Sequence, residues 1–225
     1  MSGRQLIGSL DPAFNPFSDA YLSEMLAAVV SAWSRMKPPG TREIEDTITY
    51  RLCGRLLNDP QFADLPYDVS CQHWLLGLDG ELLGRLDLRF KHRHSHRDYF
   101  AFESKRLHVT YPAGRFSAEY ATYAGEEGMM AFLEGEYSKG IAVGGMLGYV
   151  MDSKCDVAWT GLVQNIDLQK ITLKLIPGSS LVKSNLSEDV ANGVNGAHLG
   201  ETEHDLQTHH LRLFHLLLPV LAHEQ

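Results

Sequence analysis

Gly84-Arg-Leu-Asp-Leu-Arg-Phe90, a charged loop and Tyr99-Phe-Ala-Phe-Glu-Ser-Lys-Arg-Leu107 decide the fold of this 225-residue chain. Both segments alternate between apolar and polar residues with a period of two, as half-buried β-strands do. Side chains alternate across a pleated strand, so Glu103 and Lys105 share one face of the second strand. The apolar face of the first strand is expected to hold Leu86, Leu88 and Phe90. We therefore predict two strands joined as an antiparallel hairpin.

This hairpin would bring Asp87 across the sheet to Glu103 and Lys105, so that two carboxylates and one ammonium converge beside an apolar layer. Two carboxylates suit a hard divalent cation such as Mg²⁺, which binds few protein ligands and keeps several waters. Such a cation offsets charge on a phosphate and lowers the pKa of a bound water, and a lysine can orient that water. The set indicates phosphodiester hydrolysis, although a solvent-facing hairpin with cross-strand ion pairs has the same spacing.

The two quoted segments resemble the PD-(D/E)XK nuclease superfamily, also called restriction-endonuclease-like. The Phe-Glu-x-Lys-Arg-Leu form is similar to bacterial members associated with defence against foreign DNA, and the match spans roughly Arg42 to Val150. Leu86 stands where the name of the motif has proline. The resemblance implies an α/β fold with an αβββαβ core, in which helices flank a central mixed β-sheet. It also implies Asp87 and Glu103 as metal ligands and Lys105 as the catalytic lysine.

A further carboxylate and a backbone group are candidates to complete the metal site. Many members of the superfamily place an acidic residue of the first core helix beside the metal, which here indicates Glu45 first and Glu43 second. Glu45 precedes Ile48 by three positions, so it can lie at the edge of the buried face of that helix. The backbone carbonyl of Ser104 is the other candidate ligand. The resemblance thus implies an endonuclease that depends on Mg²⁺ or Mn²⁺.

The composition indicates a globular chain whose charge is unevenly distributed. The hydrophobic fraction of 44% is sufficient for a core. The net charge of −8 argues against a simple basic nucleic-acid binder. However, residues 85–115 hold eight Lys or Arg and three Asp or Glu, a local charge of +5, so the rest of the chain carries −13. This basic excess surrounds the predicted site, where a phosphate backbone would lie. The candidates for phosphate contacts are Arg85, Arg89, Lys91, Arg93 and Arg106.

The cysteines and the N-terminal segment predict a cytoplasmic protein without a membrane partner. No run of 18 apolar residues is present, and the first residues lack the long apolar centre of a signal peptide. Cys53, Cys71 and Cys155 are widely spaced and fit no metal-binding pattern, which favours reduced thiols.

Helical periodicity and turn residues predict the other elements. Residues 1–40 are expected to form an N-terminal helical extension, and 41–225 the nuclease-like domain with a C-terminal elaboration. Thr41 is the expected cap of the second helix. The predicted helices are 17–36, 41–57, 126–139 and 156–170; the predicted strands besides the hairpin are 69–78, 144–151, 171–176 and 209–219; the stretches 59–68 and 177–203 are predicted to be irregular.

Two alternatives to a nuclease stay open at the level of sequence. A catalytically silent module of the same fold would bind nucleic acid or a partner protein, although the complete Asp-Glu-Lys set argues against it. A histidine-metal hydrolase would use His92, His94 and His96, which alternate along the charged loop. No carboxylate or cysteine nearby completes a convincing ligand set. A cationic loop that contacts phosphates is therefore favoured over a metal site, and a plain exposed turn is favoured over both.

The sequence contains no recognition motif that would identify the targets of the predicted nuclease. The sequence shows no helix-turn-helix, zinc finger or helicase motif, and DNA is the expected substrate. We therefore expect targeting by a partner protein of the same defence system or by homo-oligomerisation. Tyr137 and Lys139 are candidate substrate contacts.

Overall fold

The computed structural model describes residues 15–76, 79–94, 99–134, 137, 141–191 and 193–221. Within these residues, helices flank a large mixed sheet, which confirms the prediction of an α/β fold with a central mixed sheet. The helices are α1 (Asp19–Ser34), α2 (Glu45–Leu57), α3 (Pro60–Ala63), α4 (Tyr120–Ala124), α5 (Met129–Leu133), α6 (Cys155–Leu168) and α7 (Ser187–Ala191). The strands are β1 (Tyr67–Leu76), β2 (Leu82–His92), β3 (Tyr99–Leu107), β4 (Val109–Thr110), β5 (Phe116–Ser117), β6 (Val143–Val150), β7 (Val182–Lys183), β8 (His198–Asp205) and β9 (His210–Pro219).

The main sheet of the described residues has seven strands in the order β1-β2-β3-β6-β9-β8-β7. The first three strands are antiparallel, β3 and β9 both run parallel to β6, and β8 and β7 return antiparallel. The predicted hairpin of β2 and β3 is therefore confirmed. It lies between the edge strand β1 and the parallel centre of the sheet, while β4 and β5 form a separate short hairpin.

Two hydrophobic cores cover the two faces of the sheet. One, here called the α1 core, holds buried residues of α1, α2, α3 and α7 together with Phe100 and Phe102 of β3. The other, here called the α6 core, holds buried residues of α4, α5 and α6 together with Ala101 and Leu107. Alternate residues of β3 therefore enter opposite cores, as the period of two predicted.

The first two helices pack against the sheet through apolar stripes. Seven residues of α1 are buried at helical spacing: Leu22, Met25, Leu26, Val29, Val30, Ala32 and Trp33. In α2, the buried residues include Ile48, Leu52 and Leu56. The cap predicted at Thr41 is wrong, because residue 44 has extended backbone and α2 begins at Glu45. This start leaves the Glu45 carboxylate at the positive end of the helix dipole.

A chain of hydrogen bonds runs through the buried interior between α4, β9 and β8. The hydroxyl of Tyr123 lies 3.0 Å from His215 Nδ1, and His215 Nε2 lies 2.9 Å from Thr202 Oγ1. Thr202 Oγ1 is 2.7 Å from His204 Nε2, and His204 Nδ1 is 2.6 Å from the carbonyl of Leu173. A carbonyl only accepts, so His204 donates through Nδ1 and every other hydrogen in the chain is fixed in turn. Each donor points from Tyr123 towards Leu173.

Several predicted boundaries differ from the structure. Residues 59–68 contain α3, which Asp59 caps through its Oδ1, 3.0 Å from the N–H of Gln61. Residues 171–176 form turns, with a single bridge from Leu175 to His204 instead of a strand. The stretch 177–203 is not irregular, because it holds β7, α7 and the start of β8. The helix predicted over 126–139 is limited to α5 among the described residues, and Lys139 lies outside them.

The division into residues 1–40 and 41–225 stays a prediction. No helix of the described segments is both long and apolar enough to span a membrane.

Candidate active site

Strands β1 and β2 both exchange their faces at one rung, formed by Gln72 and Asp87. On β2, Leu88 belongs to the α1 core whereas Leu86, two residues earlier, belongs to the α6 core. The prediction that Leu86 shares a face with Leu88 is therefore wrong. On β1, Cys71 packs against the α1 core, and the register passes from Cys71–Leu88 to His73–Leu86 across Gln72, whose φ is +51°. This left-handed residue shifts the alternation of the strand by one position.

The exchange of faces frees Asp87 to bond sideways to the next strand. The ladder between β2 and β3 ends at the pair Leu88–Phe102, two residues before Ser104. The backbone N–H of Ser104 donates instead to Asp87 Oδ2 over 2.9 Å, and its hydroxyl donates to the same oxygen over 2.6 Å. Gln72 Nε2 donates to Asp87 Oδ1 over 3.1 Å. Three donors thus fix both oxygens of this carboxylate.

A buried network links this carboxylate to α2 and β6. Thr49 Oγ1 lies 2.9 Å from Ser104 Oγ and 3.0 Å from the hydroxyl of Tyr149. Ser104 uses its only hydroxyl hydrogen on Asp87, so Thr49 donates to Ser104 and Tyr149 donates to Thr49. All three side chains are fully buried. The polar network therefore anchors Asp87 to three elements and favours a single orientation.

Glu103, Lys105 and Glu45 form the second part of the site. Lys105 Nζ lies 2.8 Å from Glu103 Oε1 and 3.3 Å from Glu45 Oε1. The other oxygen of Glu45 accepts the backbone N–H of Arg106 at 2.8 Å, so the start of α2 is tied to β3. The side chains of Glu103 and Lys105 are each only 9% exposed. The carboxylates predicted from β3 and α2 thus meet at the predicted lysine.

Burial and an excess of carboxylates together shift the pKa values of this cluster. Burial, together with the charge of Asp87, raises the pKa of Glu103 to about 8, although Lys105 opposes this shift. Burial also raises the pKa of Glu45 against the opposing charge of Lys105. Burial lowers the pKa of Lys105, but the carboxylates of Glu103 and Glu45 outweigh it and hold that pKa above its usual value. One ammonium therefore faces three carboxylates in a poorly hydrated site.

The candidate ligands fit a divalent cation, because one buried carboxylate oxygen has no partner in the described part of the chain, but they are few in number. Glu103 Oε2 is buried without a hydrogen-bond partner among the described residues, and such atoms are rare unless an ion or water satisfies them. A cation beside Asp87 and Glu103 would also offset the repulsion that raises the pKa of Glu103. In the same part of the chain, no group of three or more His, Cys, Asp or Glu side chains is arranged to hold a metal. The fitting set is thus two carboxylates, with the carbonyl of Ser104 and water to complete it, which suits Mg²⁺.

The structure distinguishes the two acidic candidates of the first core helix. Glu43 accepts from Arg51 Nη1 at 2.6 and 2.7 Å and from the backbone N–H of Gly40 at 3.0 Å. It lies before α2 and is held by groups outside the cluster. Glu45 is the acidic residue that contacts Lys105.

Two of the predicted phosphate-binding arginines flank the cluster. Arg85 lies 3.5 Å from Asp46 of α2, with its guanidinium 5.6 Å from the ring centre of Trp74. Arg106 Nη1 donates to the carbonyl of Glu43 over 3.2 Å. Both are half-buried, and their positions beside α2 border the site.

Of the other three basic candidates, Arg89 and Lys91 lie further along β2 and Arg93 follows its last residue. Arg89 contacts His73 Nε2 at 2.8 Å and stacks 5.0 Å from the ring centre of Tyr99. Arg93 is bonded to Asp68 at 3.1 Å and to the carbonyl of Tyr67 at 3.0 Å. Lys91 stands opposite the same Asp68 on β1 and is half-buried. These residues are distributed along the strand instead of converging on Lys105.

The histidines of the charged loop do not form a metal site in the described residues. His92 is buried, and its ring packs 5.6 Å from Tyr67 and 5.7 Å from His94. His96 lies outside the described residues. Tyr137, the other candidate contact, donates through its hydroxyl to the carbonyl of Arg85 over 3.0 Å.

Sequence reasoning missed three residues that shape the site: Gln72, Thr49 and Tyr149. Thr49 lies one position after the predicted core residue Ile48, so a polar side chain on the buried face of a helix was an available signal. Gln72 gave no signal, because its role depends on the exchange of faces between two strands.

Comparisons of the chain with protein-family models, with curated proteins and with solved structures give no match.

Proposed function

We propose that the chain is a metal-dependent nuclease that hydrolyses phosphodiester bonds, with DNA as its substrate and Mg²⁺ or Mn²⁺ as its cofactor. The observation that carries the proposal is the convergence of Glu45, Asp87, Glu103 and Lys105 around a buried carboxylate oxygen without a partner. The order α2, β1, β2, β3, α4 with α5, and β6 supports a restriction-endonuclease-like core. The sequence resemblance supports the same assignment.

The residues of the site have separable tasks in this proposal. A divalent ion bound by Asp87, Glu103 and the Ser104 carbonyl would lower the pKa of a bound water and offset charge on the phosphate. Lys105 holds a proton at Nζ, where it can orient the attacking water and stabilise the developing negative charge. Glu45 holds Lys105 from the side of α2. The network of Ser104 and Thr49 fixes Asp87 before any substrate arrives.

The test is cleavage of a substrate panel by the purified chain. Supercoiled plasmid, linear duplex, single-stranded DNA and RNA are each incubated with Mg²⁺, Mn²⁺ or EDTA. We expect DNA cleavage with either metal and none with EDTA. Glu103→Gln and Lys105→Met should each lower the rate about 100-fold or more, because each removes a group that acts on the reacting atoms. Full metal-dependent activity in both variants would refute the proposal, and preferential cleavage of RNA would correct the substrate.

Glu43, two residues before Glu45 and just ahead of α2, offers a matched control. Glu45→Gln should weaken catalysis, because Glu45 contacts Lys105, whereas Glu43→Gln removes a carboxylate that contacts Arg51. Equal losses in the two variants would mean that the start of α2 matters for folding and not for the chemistry.

A silent binding module is the second candidate function. It is favoured by the engagement of Lys105 with two carboxylates and by the absence of a three-residue metal group among the described residues. Calorimetry with Mn²⁺ separates the two: the nuclease binds the cation and loses it in Glu103→Ala, whereas the module shows no difference between the proteins.

A place in cytoplasmic defence against foreign DNA is part of the proposal and is supported by the sequence resemblance alone. Targeting would come from a partner protein of the same system or from a second copy of the chain. Light scattering after size-exclusion chromatography tests this: a strict monomer that cleaves DNA unaided would contradict it.

A further inference from the structure

Gln72 occupies an unusual position in the middle of the ten-residue strand β1. Its φ is +51°, in the left-handed region that side chains with a Cβ adopt at an energetic cost. Strained residues of this kind persist only where their surroundings enforce them, and they are frequent at functional sites. The strain here coincides with the rung at which β1 and β2 exchange faces.

The two ends of the Gln72 amide have different environments. Nε2 donates to Asp87 Oδ1 over 3.1 Å, and this orientation of the amide is required because a carboxylate only accepts. Oε1, the other end of the amide, is buried without a hydrogen-bond partner among the described residues. A buried amide oxygen left in this way indicates a donor that the protein itself does not supply.

Glycine would provide the same backbone conformation without the strain. The backbone alone therefore does not account for glutamine at this position, and a contribution from the amide does. The amide reaches the carboxylate that holds the Ser104 N–H, and Ser104 follows Glu103 directly in β3. A change at Gln72 is thus transmitted to the centre of the site through two hydrogen bonds.

We infer that Gln72 is a positioning residue of the candidate site. Its Nε2 fixes the Asp87 carboxylate, and its Oε1 accepts a hydrogen bond from a water bound to the divalent cation. The second part rests on the proposed nuclease function, whereas the first concerns the protein without cation. Residues that orient metal ligands in this way typically change metal affinity 10- to 100-fold when removed.

The experiment compares Gln72→Gly with Gln207→Gly. Gln207 has a similar φ of +66° but is exposed in the loop between β8 and β9, so its replacement relieves the same strain away from the site. Both variants relieve left-handed strain, so Gln207→Gly should keep or raise the melting temperature. Gln72→Gly also removes the donor to Asp87 Oδ1, so its melting temperature should rise less or fall. Only Gln72→Gly should accelerate amide hydrogen exchange at Ser104, about 10-fold relative to other amides of β3, and weaken Mn²⁺ binding in calorimetry about 10-fold or more.

Each outcome bears on a defined part of the inference. Unchanged exchange at Ser104 in Gln72→Gly would overturn the positioning of Asp87. If Mn²⁺ binds the wild-type and both variants equally, the role of Oε1 is overturned and the nuclease proposal survives. If Mn²⁺ does not bind the wild-type chain, the nuclease proposal and the role of Oε1 fail together, and the exchange at Ser104 still decides whether Gln72 positions Asp87.

Discussion

Lys105 Nζ lies 2.8 Å from Glu103 Oε1, although the pKa of Glu103 is raised to about 8. The ion pair is therefore too weak to compensate for burial and for the charge of Asp87. A buried carboxyl that resists ionisation lowers stability as the pH rises.

We predict that Glu103→Gln removes this pH dependence. The folded pKa of about 8 lies above the usual 4.5, so stability from this group is complete below pH 4.5 and is lost as the pH rises towards 8. The loss is at most about 1.4 kcal/mol per pH unit. Glutamine keeps an acceptor for Lys105 but carries no charge. The free energy of unfolding of the variant should therefore rise relative to that of the wild type as the pH increases from 4.5 to 8.

Urea unfolding from pH 5 to 8 measures the difference, with Glu24→Gln on the exposed face of α1 as control. Parallel stability curves for wild type and Glu103→Gln would contradict the prediction.

The buried histidines predict a second pH dependence of opposite sign. Burial lowers the pKa of His204 to about 4 and that of His215 to about 3, below the usual 6.5. Stability is therefore complete above pH 6.5 and falls as the pH drops towards 4, by up to about 1.4 kcal/mol per unit for each histidine. A proton added to either ring would also disrupt the one-way chain of donors.

Unfolding at pH 7.5, 6, 5 and 4.5 checks this prediction. His204→Asn should be less stable at neutral pH and show a shallower decline in acid, whereas His210→Asn, on the exposed start of β9, should follow the wild type. An unchanged acid slope in His204→Asn would mean that other groups cause the decline.

At position 108 we predict that a glycine variant is more stable than an alanine variant. This buried residue follows β3 with a φ of +56°, and its ring bonds to Asp152 Oδ1 and to the Tyr120 hydroxyl, each at 2.7 Å. His108→Ala should cost about 2–4 kcal/mol, because it removes a hydrogen bond to a charged carboxylate and another to a hydroxyl. His108→Gly loses the same bonds but relieves the left-handed strain, so it should be the more stable by about 1 kcal/mol. Chemical denaturation of the two variants decides, and a less stable glycine variant would show that residue 108 is not strained.

Replacing glycine by alanine should have opposite effects on stability at positions 145 and 54. A Cβ on Gly145 of β6 would lie 2.6 Å from Phe102 Cδ1 and 2.9 Å from Phe100 Cζ, so Gly145→Ala should destabilise by about 1–3 kcal/mol. Gly54 in α2 has open space around it, and Gly54→Ala should stabilise by about 0.5–1 kcal/mol through helix propensity. Melting temperatures that move in the same direction for both variants would contradict this account.

The elements with strong periodicity could be predicted from the sequence. Strand β3 was predicted over residues 99–107 and is found as Tyr99–Leu107, because alternate residues enter two separate cores. The helix predicted over 17–36 is found as α1, shorter by two residues at each end. The spacing of apolar residues predicts such elements, because each helix buries a regular stripe and each strand a regular face.

Elements that depend on distant contacts were missed. The strand predicted over 171–176 is absent, since Lys174 has a φ of +52° and turns the chain there. Strand β7 has only two residues, which is too short for any alternation to be visible. In contrast, α3 carried a readable signal, with Asp59 as cap and Pro60 at its first position.

In the candidate site, too, the features set by local pattern were predicted and those that depend on distant contacts were not. The proximity of Glu103 and Lys105 was predicted from strand alternation and is found, and Glu45, which the resemblance indicated, contacts the same lysine. Their chemical roles stay predictions. Gln72 could not be foreseen, since nothing local marks the rung where two strands exchange faces.

The two margins of the main sheet differ in their exposure to other molecules. Within the described residues, β7 closes one margin with two residues, whereas the ten-residue β1 closes the other and presents Trp74 and Leu76, which are 54% and 64% exposed. A long edge strand with exposed apolar side chains is a template on which a further chain can add a strand. Self-aggregation at high concentration should therefore begin at β1, and a lysine at position 76 should improve solubility while leaving the site intact.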